Sequence, residues 1–227
     1  MKPRFSAATA ETKTTSPSPA KPKAPRKAKV VKPYHHGNLR ETLLVAADTV
    51  LAKKGAAGLT LRDVARAAGV SHAAPYHHFA SLDALLAAVA TRGFDRLSEA
   101  MAPTVAVADT KERLLQIGEA YVRCALENPA QFRVMFGPLC VRKAEFPEMN
   151  AASGRAFGML LAAACAHDAA HGPEIALTGW SLSHGLANLI LDGVIDQLPL
   201  KDLDVATLPR RLVERALAAP TTKRSRT

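Results

Sequence analysis

The sequence predicts an all-α protein, and three observations carry that reading. No stretch alternates apolar and polar residues with the period of two that a half-buried strand requires. Apolar residues recur three and four apart instead, as in Leu61, Val64, Ala65 and Ala68, which gives a helix one inward face. Gly, Pro, Ser, Thr, Asp and Asn fall between these runs, where helices start and stop. The 48% hydrophobic content, rich in Ala and Leu with only 5% aromatics, suits packed helices. At 227 residues there is material for one large domain or two small ones. No uninterrupted apolar run approaches the roughly 18–20 residues that cross a bilayer. Cys124, Cys140 and Cys165 are too few and too scattered for a disulfide framework or a zinc site, and read as buried thiols in a reducing cytosol rather than redox sensors.

Residues 1–33 hold nine Lys/Arg against one acid, Glu11, and six of the 15 prolines. Such a segment buries too little apolar surface to offset its ordering entropy, so it is expected as a disordered basic arm. It has no apolar h-region for secretion, and its prolines oppose an amphipathic transit helix. Residues 34–81 carry +2, and residues 82–227 carry sixteen charges of each sign. All excess positive charge in the net +10 therefore lies at the front, as expected of a polyanion-binding end on a neutral body. The arm reads either as a phosphate-following segment or as a solubilising tail.

Asn38 is placed to cap a first helix running to about Lys54, with Leu39, Leu43, Ala46, Ala47, Val50 and Leu51 inward. Lys53, Lys54 and Gly55 end it, cations near the C-terminus and glycine beyond. His35 and His36 are adjacent and could not face one metal ion on a helix. Thr60 caps the second helix and Gly69 terminates it, with Arg62, Asp63 and Arg66 facing out. Val70 can plug the following angle, Ser71 caps a third helix from His72 to about His78, and Leu61 and Phe79 read as core. Two helices joined by a short glycine-containing turn form a helix-turn-helix, whose second helix enters the major groove. His72, Ala73, Tyr76 and His77 share its outward surface.

The run from Gly37 to Leu86 closely resembles the DNA-binding segment of the tetracycline-repressor (TetR) family of bacterial regulators. The resemblance rests on the Gly69-Val70-Ser71 turn, the Tyr76…Phe79 ending and the helix capped by Ser81. It implies that Thr60, Ser71, Tyr76 and His78 donate to phosphates, beside the exposed Arg62. Base readout then falls to His72, Ala73 and His77, with Ala73 able to touch a thymine methyl. Two residues depart from the family pattern. Pro75 stands where Leu or Ile is common, and in a first turn it is expected to shift the helix start without abolishing it. Leu82 stands where a Lys is common, which removes one phosphate contact.

A long helix is expected from Leu82 to about Met101, stopped by Pro103. Others follow from Asp109 or Thr110 to Glu127, from Asn128-Pro129 to Gly137-Pro138, and from about Pro147 to His171. The last two run from Pro173 to about Asp196 and from Leu203 or Thr207 to Ala218. This divides the chain into an arm (1–33), a helix-turn-helix domain (34–81), a helical effector-binding and dimerisation domain (82–219) and a flexible tail (220–227).

No Gly-rich phosphate loop, nucleophile elbow or telling pair of acids is present in the body, so neither an enzyme nor a bound cofactor is expected. His167 and His171, four apart, offer a metal-chelate alternative, weighed against histidines favourably placed in a last helical turn. Trp180, His184 and Asn188 form one ridge, Leu182, Leu186, Leu189 and Ile190 another, and Gly185 and Gly193 allow close helix approach. The Trp180…His184-Gly185 arrangement resembles a C-terminal domain type found behind this head in part of the TetR family. That resemblance implies a homodimer through residues 174–196 and 204–218, with Leu182, Leu186, Leu189, Ile190 and Leu212 at the interface. It also implies a small-molecule effector pocket, for which Tyr121, Cys124, Phe132, Met135, Phe136, Phe157, Met159, Trp180 and His184 are candidates. The expectation is a cytoplasmic, dimeric repressor of a palindromic double-stranded DNA operator, released by an effector. The rivals are a low-specificity DNA-organising protein driven by the arm, and a metal protein.

Overall fold

In the computed structural model, which describes residues 39–199 and 204–218, all the regular structure is helical. The expectations for the arm, His35, His36, the Asn38 cap, a helix start at Leu203 and the tail lie outside these residues. Helix α1 (Leu39–Lys54) buries the expected face with Leu44 added, and leaves Leu39 only half-buried. Gly55 ends it at φ +68°, a conformation that costs glycine little. In α2 (Leu61–Ala68) the Thr60 hydroxyl accepts the Asp63 N–H at 3.1 Å, and Gly69 turns left-handed at φ +70°. Both caps are those the sequence marks.

The next element corrects the sequence reading. Residues His72 to His78 do not form an α-helix; a 3-10 turn spans Ala74–His77. Pro75 has no N–H, so the bond that would tie it back to Ser71 four residues earlier cannot form. The bonds close over three residues instead, from Ala74 N–H to the Ser71 carbonyl at 3.0 Å and from Tyr76 N–H to the Ala73 carbonyl at 3.1 Å. Nor does Ser71 cap with its side chain: Ala73 precedes the turn, without a side-chain cap. Proline here replaces the helix rather than displacing its start.

Helix α3 (Leu82–Met101) is the shared wall of the molecule. Ser81 caps it through the Ala84 N–H at 3.1 Å, and Leu85, Val89 and Ala90 are fully buried. It packs on α1 and on the body helices α4 (Thr110–Glu127), α5 (Pro129–Met135) and α6 (Pro147–His167). Its Arg92 reaches back to α1, to Glu41 at 3.2 Å and Asp48 at 3.7 Å. Helices α7 (Gly172–Leu191) and α8 (Leu208–Leu217) close the body against α4. One apolar core runs from Leu43 in α1 to Leu208 in α8.

Several boundaries also differ. Asn128 does not cap α5; its side chain donates to the Cys124 carbonyl and accepts from Arg96. Helix α6 stops at His167 rather than His171, because the Asp168 carboxylate takes the Ala170 and His171 N–H groups at 2.9 and 3.1 Å. That Asx-type turn offers the backbone an alternative to another helical turn. Helix α7 ends at Leu191 rather than about Asp196, where Gly193 adopts φ +66°.

An acid-sensitive contact joins α4 to α8. Arg210 holds Glu112 with both terminal nitrogens, Nη1 to Oε1 at 3.0 Å, and Gln116 donates to the same oxygen. The bonds from Arg210, then that from Gln116, hold the Glu112 carboxyl down at about 2, below its ordinary 4.5. A depressed carboxyl contributes stability above its unfolded pKa and loses it as pH falls through the folded one. Stability is therefore expected to drop between about pH 4.5 and 2, with Glu112→Gln flattening that window in melts followed by circular dichroism. Identical acid slopes for the two proteins would remove this pair from the account.

Candidate nucleic-acid interface and cavity

Pro75 and Phe79 anchor the 3-10 turn from beneath: Pro75 is fully buried, Phe79 is 3% exposed, and the Arg40 guanidinium lies 5.5 Å from the phenyl centroid. With those two side chains inward, Ser71, His72, Ala73, Tyr76, His77 and His78 all face outward, Tyr76 to 58%. None of the polar side chains in this group makes a hydrogen bond among the described residues. Arg62 is likewise exposed and unpaired there, while Arg66 and Lys54 are drawn to Asp63 at 3.2 and 3.1 Å. Thr60 is different. Its hydroxyl donates to Asp63 Oδ2 at 2.8 Å, so the proton expected for a phosphate is already committed. That bond, followed by the one from Lys54, holds the Asp63 carboxyl below its usual range.

Behind the head, α3, α4, α6, α7 and α8 enclose a cavity of about 640 Å³. Of the side chains expected there, Tyr121, Phe136, Phe157 and Trp180 line it. Cys124, Phe132 and Met135 do not; they are buried in the core, and Met135 occupies the space that Gly93 leaves on α3. Met159 packs half-buried on that core. His184 is one layer out, and its Nδ1 meets the Tyr121 hydroxyl at 2.9 Å while Trp180 Nε1 donates to that hydroxyl at 3.3 Å. Burial pushes the His184 imidazole down and the Tyr121 hydroxyl up. Much of the remaining wall is aliphatic, with Leu97, Met101, Ile117 and Leu160. Sequence reading missed these, because an inward Leu on a helix looks the same whether it faces a neighbour or a void.

His167 and His171 meet the cavity at the α6–α7 corner but do not share a helix face. His167 Nδ1 lies 3.0 Å from the Thr110 hydroxyl, and His171 Nδ1 lies 3.0 Å from Asp168 Oδ2. The chelate reading fails on that geometry, and no cluster of three metal-capable side chains occurs among the described residues.

A head of this geometry in front of a helical body matches two family models. Residues 43–89 match bacterial regulatory proteins of the tetR family, and residues 114–216 match the tetracyclin repressor-like C-terminal domain. The chain belongs to the tetR family. As one of these DNA-binding regulators it is not an enzyme. Among curated proteins it is 28% identical over 96 residues to YobS, an uncharacterized HTH-type transcriptional regulator of Bacillus subtilis (strain 168); the match covers 42% of this chain and 50% of that protein. Among solved structures it resembles a protein of unknown function from Rhodococcus sp. RHA1, at 34% identity and a TM-score of 0.66, over 83% of this chain and all of that one. It also resembles the TetR family regulator PfmR from Thermus thermophilus, at 25% identity and a TM-score of 0.57, over 76% and 94% of the two chains.

The side chains expected at a tetR-type dimer interface divide by exposure. Leu189 is 43% exposed, and Leu182, Ile190 and Leu212 are half-buried. Leu186 is 4% exposed and belongs to the protomer's own core, because its turn of α7 faces inward. Leu177, exposed to 56%, lies on the outer face of α7 with Leu189, and at Gly185 a side chain would meet nothing within 4 Å. No described helix is long and apolar enough to cross a membrane.

Proposed function

We propose that this tetR-family protein is a cytoplasmic repressor that binds a palindromic operator as a homodimer and releases it when a small molecule fills the cavity. The observation that carries the reading is that α3 serves both ends. Arg92 ties it to α1 of the head, while Phe94, Leu97 and Met101, within the next three turns, line the cavity. A ligand that favours one placement of α3 thereby favours one placement of the head. His72, Ala73 and His77 read bases, and Ser71, Tyr76, His78 and Arg62 meet phosphates. Two heads on a two-fold axis require an isologous contact, which the outer faces of α7 and α8 supply.

Selection from random duplexes, with affinity followed against salt, tests the reading. One enriched palindrome is expected, and His77→Ala should weaken binding to it by about 1–3 kcal/mol while leaving stability unchanged. Tight but unselective binding with a steep salt slope would instead favour the basic residues 1–33 as the main DNA contact. A monomer by light scattering at micromolar concentration would remove the dimer.

A further inference from the structure

The cavity also carries a chemical signature of what it holds. Five aromatic side chains face it: Phe94, Tyr121, Phe136, Phe157 and Trp180. They form a continuous chain of ring contacts, with Phe94–Phe136 centroids at 5.5 Å, Phe136–Trp180 at 6.3 Å and Phe157–Trp180 at 5.6 Å. Aromatic faces carry negative electrostatic potential and attract cations. The fixed charges agree. Asp168 and Glu174 border the cavity beside His167 and His171, and among the described residues no Lys or Arg does. Of the arginines on the surrounding helices, Arg113 is held on the Val107 carbonyl, Arg155 on Asp95 and Arg210 on Glu112, while Arg123, Arg211 and Arg215 are exposed and do not line the cavity. His171 is matched by Asp168, which leaves Glu174 without a partner among the described residues.

Two polar groups lie further along the cavity, level with later turns of α7 and beyond the reach of an ammonium at Glu174. The Tyr121 hydroxyl is already shared, 2.9 Å from His184 Nδ1 and accepting from Trp180 Nε1 at 3.3 Å. Ser183 is 3% exposed, faces the cavity and has no hydrogen-bond partner among the described residues. Its oxygen opens onto the cavity, where a hydroxyl both donates and accepts.

We infer that the effector is an organic ammonium ion with an apolar body. Its charge is balanced by Glu174 at the start of α7, and its alkyl or aryl part runs from there along α7 against the aliphatic and aromatic walls. An acyl anion of equal length meets no counter-charge and faces a carboxylate. The inference rests on the effector-cavity reading above, and the test separates the two.

Trp180 is the single tryptophan of the chain and lines the cavity, so its fluorescence reports binding directly. The full-length protein is titrated with decylamine, protonated at neutral pH, and with decanol and decanoate of matched length, all below micelle formation. Decylammonium is expected to give a saturable change at about tenfold or more lower concentration than decanoate. Glu174→Gln, at an exposed position, should weaken decylammonium severalfold and leave decanol unchanged. Equal or tighter binding of decanoate would overturn the ammonium assignment while leaving the cavity as the effector site. If none of the three probes perturbs Trp180, the effector-cavity reading falls with it.

Discussion

Phe79→Ala is expected to cost about 3–5 kcal/mol of stability and to abolish operator binding. The ring is 3% exposed, sits under the Arg40 guanidinium and follows a backbone turn whose Phe79 N–H reaches the Pro75 carbonyl at 2.9 Å. Pro75 is the other buried anchor, and an i-to-i−3 turn of four residues has little stability of its own. Truncation leaves a cavity under the one segment that presents His72 and His77. The outcome separates structure from recognition. His77→Ala, on an exposed residue, should keep the denaturant midpoint within about 0.5 kcal/mol of wild type and still lose affinity. Equilibrium unfolding of both variants, followed by circular dichroism and by Trp180 fluorescence in the body, provides the comparison. A Phe79→Ala midpoint close to wild type would mean that the turn is held by Pro75 alone.

The same segment shows where sequence reading stops. The ends at Thr60, Ser81, Gly55 and Gly69 were legible because each is a local arrangement, whereas Ser71 and Asn128, of the same residue types, do not cap with their side chains. Pro75 was legible as an irregularity, but its consequence was not. Choosing between a shifted helix and a 3-10 turn depends on whether tertiary packing holds the end at Phe79, and that lies outside the local pattern. Asp168 is a similar case. Its Asx turn competes with α6 on nearly equal terms, and the Gly172-Pro173 break further on suggested the wrong stop. In the cavity, Tyr121, Phe136, Phe157 and Trp180 were readable because aromatic residues are rare in this chain, but Phe94 was missed. Cys124, Phe132 and Met135 were misplaced because spacing gives a helix an inner face without saying whether a void or a neighbour lies against it.

Gly179→Leu is expected to raise stability by about 1 kcal/mol, to keep operator binding and to remove the response to ligand. Three glycines on neighbouring helices allow the argument to be made by contrast. A side chain at Gly93 would run into Met135, and one at Gly118 would press on Val213 Cγ2 at 3.1 Å and Ser183 Oγ at 3.3 Å. At Gly179 the nearest atom to a new Cβ is Leu160 Cδ1 at 3.9 Å, and both residues line the cavity. Leucine there enters empty apolar space, and α7 exchanges a poor helix former for a good one. The same isobutyl group takes the volume beside Trp180 that an effector would need, so ligand affinity should fall by more than about tenfold. The head is untouched, and α3 is left without the ligand that would bias it. Thermal melts, decylammonium titration and operator binding with and without ligand measure the three consequences on one protein. A variant that is more stable yet still released from DNA by ligand would show that the signal enters somewhere other than this cavity.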